Sequence, residues 1–149
     1  MSAVQAAPVA DAGIVSACID QVEASIVVAL VLVIDDDRFY LNVIRRILED
    51  AGHQVIETTT GAEGISLYEE NQPAIVITDI FMPGMDGNEV IRVLRSMNTK
   101  VGIIAVSAGG AFYDIDFLDT AKKLGADAIL RKLDPKERIL AEIERLLAR

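Results

Sequence analysis

The sequence predicts a doubly wound α/β fold, with a mainly parallel five-stranded sheet and helices on both faces. Three observations carry this. Short apolar runs of buried-strand character recur five times along the chain. Between them lie segments whose apolar residues fall at helical spacing, the alternation expected of βαβ units with right-handed crossovers. Two of the runs end abruptly in aspartate: Val31-Leu32-Val33-Ile34 leads into Asp35-Asp36-Asp37, and Ile75-Val76-Ile77-Thr78 leads into Asp79.

Residues from Met1 to about Gly13 are small and Ala-rich without periodicity, which reads as a flexible leader. Ile14, Cys18, Val22 and Ile26 recur every fourth residue, as in a short helix after Asp11. Residues 1–25 are therefore set apart from a single domain over 26–149. Strands are expected near Val27–Ile34, Gln54–Thr58, Ala74–Thr78, Val101–Val106 and Asp127–Arg131. The first helix carries Phe39, Val43, Ile44, Ile47 and Leu48 and closes at Ala51-Gly52 with a C-terminal glycine. The second spans about Gly61–Glu70, and the third about Asn88–Met97 with Val90, Ile91 and Leu94 inward. The fourth covers about Asp114–Leu124 and ends at Gly125. The last opens at Asp134-Pro135, a cap followed by proline at the first helical position, and has an apolar stripe of Ile139, Leu140, Ile143, Leu146 and Leu147. No second domain is expected after it.

Composition narrows the function. With 149 residues and 52% hydrophobic content the chain can bury a real core. Lys+Arg is 14 and Asp+Glu is 23, a formal charge of −9. An acidic domain without a basic run is a poor nucleic-acid binder, because phosphate neutralisation supplies most of that affinity. Cys18 is the single cysteine, so no internal disulfide can form and a reducing cytoplasm is expected. The run Ile26–Ile34 is too short to cross a bilayer, and the aspartates after it do not suit a signal peptide.

The chemistry lies in the carboxylates. In open α/β sheets ligands bind just beyond the carboxyl ends of the strands. Two neighbouring strands ending in aspartate would aim several carboxylates into one crevice. Such a cluster repels itself unless a cation or a proton joins it, and its natural occupant is a hard divalent ion, Mg²⁺. Asp37 is better suited to capping the first helix than to that cluster.

Four stretches taken in order carry a resemblance: Val-Leu-Val-Ile-Asp-Asp-Asp at 31–37, Thr-Asp-Ile-Phe-Met-Pro-Gly-Met-Asp-Gly at 78–87, Val-Ser-Ala at 106–108 and Arg-Lys at 131–132. The chain resembles a response-regulator receiver domain of two-component signalling from about Ile26 to Arg149. The resemblance implies a flavodoxin-like sheet of order 2-1-3-4-5, and a chemotaxis-regulator-like domain that is not an enzyme beyond self-phosphorylation and slow self-dephosphorylation. Asp79 would be the phosphoacceptor. Asp35 and Asp36 would hold Mg²⁺ together with Asp79 and the backbone carbonyl of Phe81, Asp36 directly and Asp35 largely through water. Lys132 would pair with the acceptor carboxylate and then with a phosphoryl oxygen, and Ser107 would hydrogen-bond the phosphoryl group. The implied donor is a sensor histidine kinase or a phosphotransfer protein. The implied output is a downstream protein or a second copy, bound through the face of the fourth helix, fifth strand and last helix.

Two positions depart from the family pattern. Leu133 follows the lysine where proline is usual, and Ile129 stands three residues before it where an aromatic residue often reports phosphorylation. These departures motivate a rival, a binding module that keeps the fold without being phosphorylated. A second rival is a haloacid-dehalogenase-like phosphatase using Asp35 and Asp37, although Phe39 does not fit that pattern and Met82-Pro83-Gly84-Met85-Asp86-Gly87 has no role in it. Gly109-Gly110 suggests a mobile loop, with Phe112, Tyr113 and Phe117 divided between core and an exposed partner patch. His53 reads as a surface residue, and Met82, Met85 and Met97 as packing.

Overall fold

The computed structural model of the chain describes residues 27–98, 100–108 and 112–149, with backbone only for 112–115. The helix expected over 14–26 and the Gly109-Gly110 loop lie outside the described residues. Ten elements alternate: β1 (Leu30–Ile34), α1 (Arg38–Asp50), β2 (Gln54–Thr58), α2 (Gly61–Asn71), β3 (Ile75–Asp79), α3 (Gly87–Met97), β4 (Gly102–Ser107), α4 (Phe112–Leu124), β5 (Ala128–Arg131) and α5 (Lys136–Leu147). All strand pairs are parallel, and the sheet order is β2-β1-β3-β4-β5.

The period-two alternation of a strand decides which helix covers which face. Val31, Val33, Ile75, Ile77, Ile104 and Val106 point to one side, where Ile44 and Leu48 of α1 and Ile139, Ile143 and Leu146 of α5 cover them. Leu32, Ile34, Val76, Ile103 and Ala105 point to the other, against Tyr68 of α2, Val90, Ile91 and Leu94 of α3 and Ala121 of α4. The central strands β3 and β4 are buried along their whole length. That is why their sequences read as unbroken apolar runs rather than alternating ones.

Helix starts follow their capping chemistry. Asp37 accepts hydrogen bonds from the N–H groups of Phe39 at 3.0 Å and Tyr40 at 3.4 Å. Asp86 and Glu89 form a reciprocal capping box at the start of α3. Gly52 and Gly125 follow their helices with φ of +96° and +122°, the left-handed geometry glycine adopts without a Cβ penalty.

Several expectations need correction. β1 begins at Leu30, because Val27 and Val28 are exposed ahead of the sheet. Pro135 occupies the cap position of α5 with an extended ψ of 154°, not the first helical position, and it makes no side-chain capping bond. Asp134 instead turns back to accept from the Arg131 N–H at 2.8 Å, closing the β5–α5 turn. His53 is buried, not superficial: its Nδ1 accepts a hydrogen bond from the Ala29 N–H at 3.2 Å, tying the entry of β1 to that of β2. Met82 is buried and Met85 packs against the core, but Met97 is largely exposed at the end of its helix.

Candidate functional site

The parallel register places the ends of four neighbouring strands, β1, β3, β4 and β5, side by side. Ile34 pairs with Thr78, Asp79 with Val106, and Ser107 with Arg131. The next residues along, Asp35 after β1 and Lys132 after β5, therefore emerge on the same edge as Asp79 and Ser107. Backbone bonds hold this rim: Asp35 N–H donates to Thr58 O at 3.1 Å, Ile80 N–H to Val106 O at 3.1 Å, and Lys132 N–H to Ser107 O at 2.9 Å.

Asp35, Asp36 and Asp79 each offer one carboxylate oxygen, and these oxygens lie within 4.8 Å of one another. Asp35 is 1% exposed and Asp79 5%, whereas Asp36 faces solvent. Asp35 Oδ1 accepts from the Asp37 N–H at 2.8 Å, which orients the carboxylate. Lys132 Nζ stands 2.8 Å from Asp35 Oδ2 and 3.4 Å from Asp79 Oδ2. The closer contact is angled away from hydrogen-bonding geometry, so it acts through charge, while the bond to Asp79 is directional.

One ammonium does not balance this cluster. Burial, and then the charge of Asp35, push the Asp79 carboxyl up to about 6. Burial also raises Asp35 despite the nearby lysine. Burial opposes the charge on Lys132, yet its contacts with Asp35 and Asp79 outweigh that and raise it. A hard cation with oxygen ligands would relieve the excess charge, and the exposed Asp36 leaves the cluster open to solvent on one side.

Ser107 is fully buried, and its Oγ has no hydrogen-bond partner among the described residues. The Phe81 side chain, half-exposed, packs edge-on against Phe117 of α4, with ring centroids 4.8 Å apart at 70°. With Ile80, Met82, Pro83 and Asp86 the two rings line an open cavity of about 440 Å³. The aromatic trio Phe112, Tyr113 and Phe117 falls within α4 rather than in a loop before it, and of the three Phe117 alone has a described side chain. Leu133 is 91% exposed on the loop after Lys132. Asp37, which a dehalogenase-like reading needs as a second acid, is engaged in capping α1.

Sequence reasoning missed Tyr40. It lies on the buried face of α1, and Lys132 Nζ stands over its ring at 5.0 Å from the centroid. Its place three residues after the Asp37 cap was a signal that it would face the strand ends, but nothing in the sequence linked it to residue 132.

The model of the response regulator receiver domain matches residues 31–144. The chain belongs to that family. This receiver domain is 36% identical over 120 residues to Response regulator MprA of Mycobacterium sp. (strain KMS), covering 80% of the present chain and 50% of that protein. It is 34% identical over 119 residues to Transcriptional regulatory protein PrrA of Mycobacterium tuberculosis (strain ATCC 25618 / H37Rv), with the same two coverages. The receiver thus spans about half the length of the curated relatives it matches. Its fold is similar to the crystal structure of a response regulator receiver domain protein from Clostridium thermocellum, with a TM-score of 0.75 and 30% identity over 80% of this chain and 94% of that one. A CheY-like receiver from Methanospirillum hungatei JF-1 gives 0.74 and 25% over 82% and 96%. The chain is accordingly a receiver domain of a response regulator in two-component signalling. Among the described residues no helix is long and apolar enough to cross a membrane.

Proposed function

We propose that this receiver, spanning residues 26–149, is a phosphorylation switch in which Asp79 accepts a phosphoryl group from a sensor histidine kinase or a phosphotransfer protein. One observation supports this above all. Asp79 is a buried carboxylate that shares its crevice with two further acids and one lysine, an arrangement costly to keep unless charge is to be exchanged there. A carboxylate oxygen of Asp79 would attack phosphorus as the bond to the donor's imidazole nitrogen breaks, leaving an acyl phosphate.

When bound, Mg²⁺ would supply the positive charge that phosphoryl transfer between anions requires. Asp35, Asp36 and Asp79 are the side chains suited to hold it, with the Phe81 carbonyl as the proposed fourth contribution. Lys132 holds an acceptor oxygen in place beforehand and stabilises the phosphoryl oxygens afterwards. Ser107 Oγ, buried and without a partner among the described residues, would donate to the phosphoryl group on the neighbouring strand. In place of the single charge of the carboxylate, the acyl phosphate carries a charge of roughly −1.5 to −2, by analogy with phosphorylated hydroxyl side chains. Drawing Ser107 toward that charge would change the face formed by α4, β5 and α5, where a downstream protein or a second copy would bind.

The test is incubation with acetyl phosphate and Mg²⁺, followed by peptide mass spectrometry. A phosphoryl adduct on Asp79, absent from Asp79→Asn, is the expected outcome. No adduct on a folded protein would favour the binding module suggested by Leu133 and Ile129. A phosphotransfer profile against purified histidine kinases then identifies the donor.

A further inference from the structure

We propose that Tyr40 is a positioning residue for phosphoryl transfer, its ring face forming the third wall of the site that holds the Lys132 ammonium. The inference rests on the reading of Asp79 as acceptor and extends it to a residue on α1. Two carboxylates contact Lys132 Nζ, at 2.8 and 3.4 Å, and the Tyr40 ring lies beneath it at 5.0 Å from the centroid. An ammonium within about 6 Å of an aromatic centroid is attracted by the negative face of the ring, and more strongly where water is excluded. Both partners meet that condition: Tyr40 is 6% exposed, and the Lys132 side chain 16%.

The geometry gives the ring work that the carboxylates cannot do. Lys132 is flexible along four carbons and is closer to Asp35 than to the acceptor. Its two anionic partners change when a cation enters the cluster or a phosphoryl group is added to Asp79. The ring does not, since it is neutral and fixed on a buried helix face. It therefore keeps the ammonium over the strand ends while the charges around it are redistributed. The Tyr40 hydroxyl is buried with no hydrogen-bond partner among the described residues. Packing alone would thus be served better by phenylalanine, and the aromatic face is the feature that contacts functional chemistry.

The experiment measures the second-order rate of Asp79 phosphorylation by acetyl phosphate at saturating Mg²⁺. Tyr40→Phe keeps the ring and is expected to react within about twofold of the unaltered protein. Tyr40→Leu is expected to react about tenfold more slowly, equivalent to about 1.4 kcal/mol, and to show no further loss in a Lys132→Ala background. A series of increasingly fluorinated phenylalanines at position 40 preserves shape and drains the ring face, so the rate should fall stepwise along it even if the leucine variant folds poorly. Without donor or metal, the Lys132 side-chain proton resonances should move toward ordinary lysine values when the ring is removed. A leucine variant as fast as the unaltered protein, a phenylalanine variant as slow as leucine, or a flat fluorination series would overturn the assignment. Absence of any adduct on the unaltered protein would instead remove the acceptor reading on which it rests.

Discussion

Lys132 is nearer to Asp35 than to Asp79, by 2.8 against 3.4 Å, although its directional hydrogen bond goes to Asp79. The lysine thus neutralises mainly a neighbour of the proposed acceptor and leaves the acceptor itself only partly paired. Removing it strands two buried carboxylates. Lys132→Ala should cost about 3 kcal/mol at pH 7.5. The loss should shrink at pH 5, because protonation of Asp35 and Asp79 relieves the same charge. Urea unfolding at the two pH values measures both.

Asp79 gives the opposite prediction. Its carboxyl is raised from 3.8 to about 6 by burial and by Asp35. A raised carboxyl means that the folded state binds the proton more tightly than the unfolded chain. Its contribution to stability is full below pH 3.8 and lost as pH rises through about 6. Asp79→Asn should therefore leave stability nearly unchanged at pH 4 and raise it by about 2–3 kcal/mol above pH 6.5. Equal effects at both pH values would contradict this account of the cluster.

His53 acts in the other direction. Burial lowers its pKa, partly countered by Glu144, and its Nδ1 is occupied as an acceptor from Ala29. The neutral ring is favoured in the fold, so its contribution is present above pH 6.5 and declines as pH falls below it. Comparing His53→Gln with the unaltered protein between pH 5 and 7.5 isolates this term. The variant should show the smaller decline.

Gly87 is where the start of α3 meets the end of β3. A Cβ at this position would collide with the Asp79 carbonyl oxygen and lie 2.7 Å from the Ile80 Cα, both backbone atoms that cannot swing aside. Its N–H also donates to Ile80 O at 2.9 Å. Gly87→Ala should destabilise by more than about 2 kcal/mol, and if Asp79 is the acceptor as proposed, it should slow phosphorylation in folded protein by displacing the Asp79 backbone. A thermal melt near that of the unaltered chain would show that the helix can retreat at little cost.

Ser107→Ala separates structure from switching. The hydroxyl is buried without a partner among the described residues, so its removal should be neutral or stabilising by about 1 kcal/mol before phosphorylation. After phosphorylation the variant should lack the chemical-shift changes in α4 and β5 seen by NMR in the unaltered protein.

The sequence alone was enough for the periodic elements and for the strand-end acids, because these depend on local pattern. Buried parallel strands must be apolar throughout, helices must carry a stripe, and side chains placed directly after a strand must emerge at its carboxyl edge. Asp35, Asp79, Ser107 and Lys132 could be grouped from that rule and from the family resemblance. Pro135 shows where the local pattern fell short, since the Asp134 side chain closes the β5–α5 turn and pairs with Arg138 rather than capping the helix it precedes. His53 was misplaced because a lone imidazole carries no periodic signal, and only the approach of β1 to β2 buries it. Tyr40 could not be linked to Lys132 from sequence, being 92 positions away and on another element. Which carboxylate the lysine approaches, and which ring lies under it, are decided by helices packing across a twisted sheet, and no local preference encodes those distances.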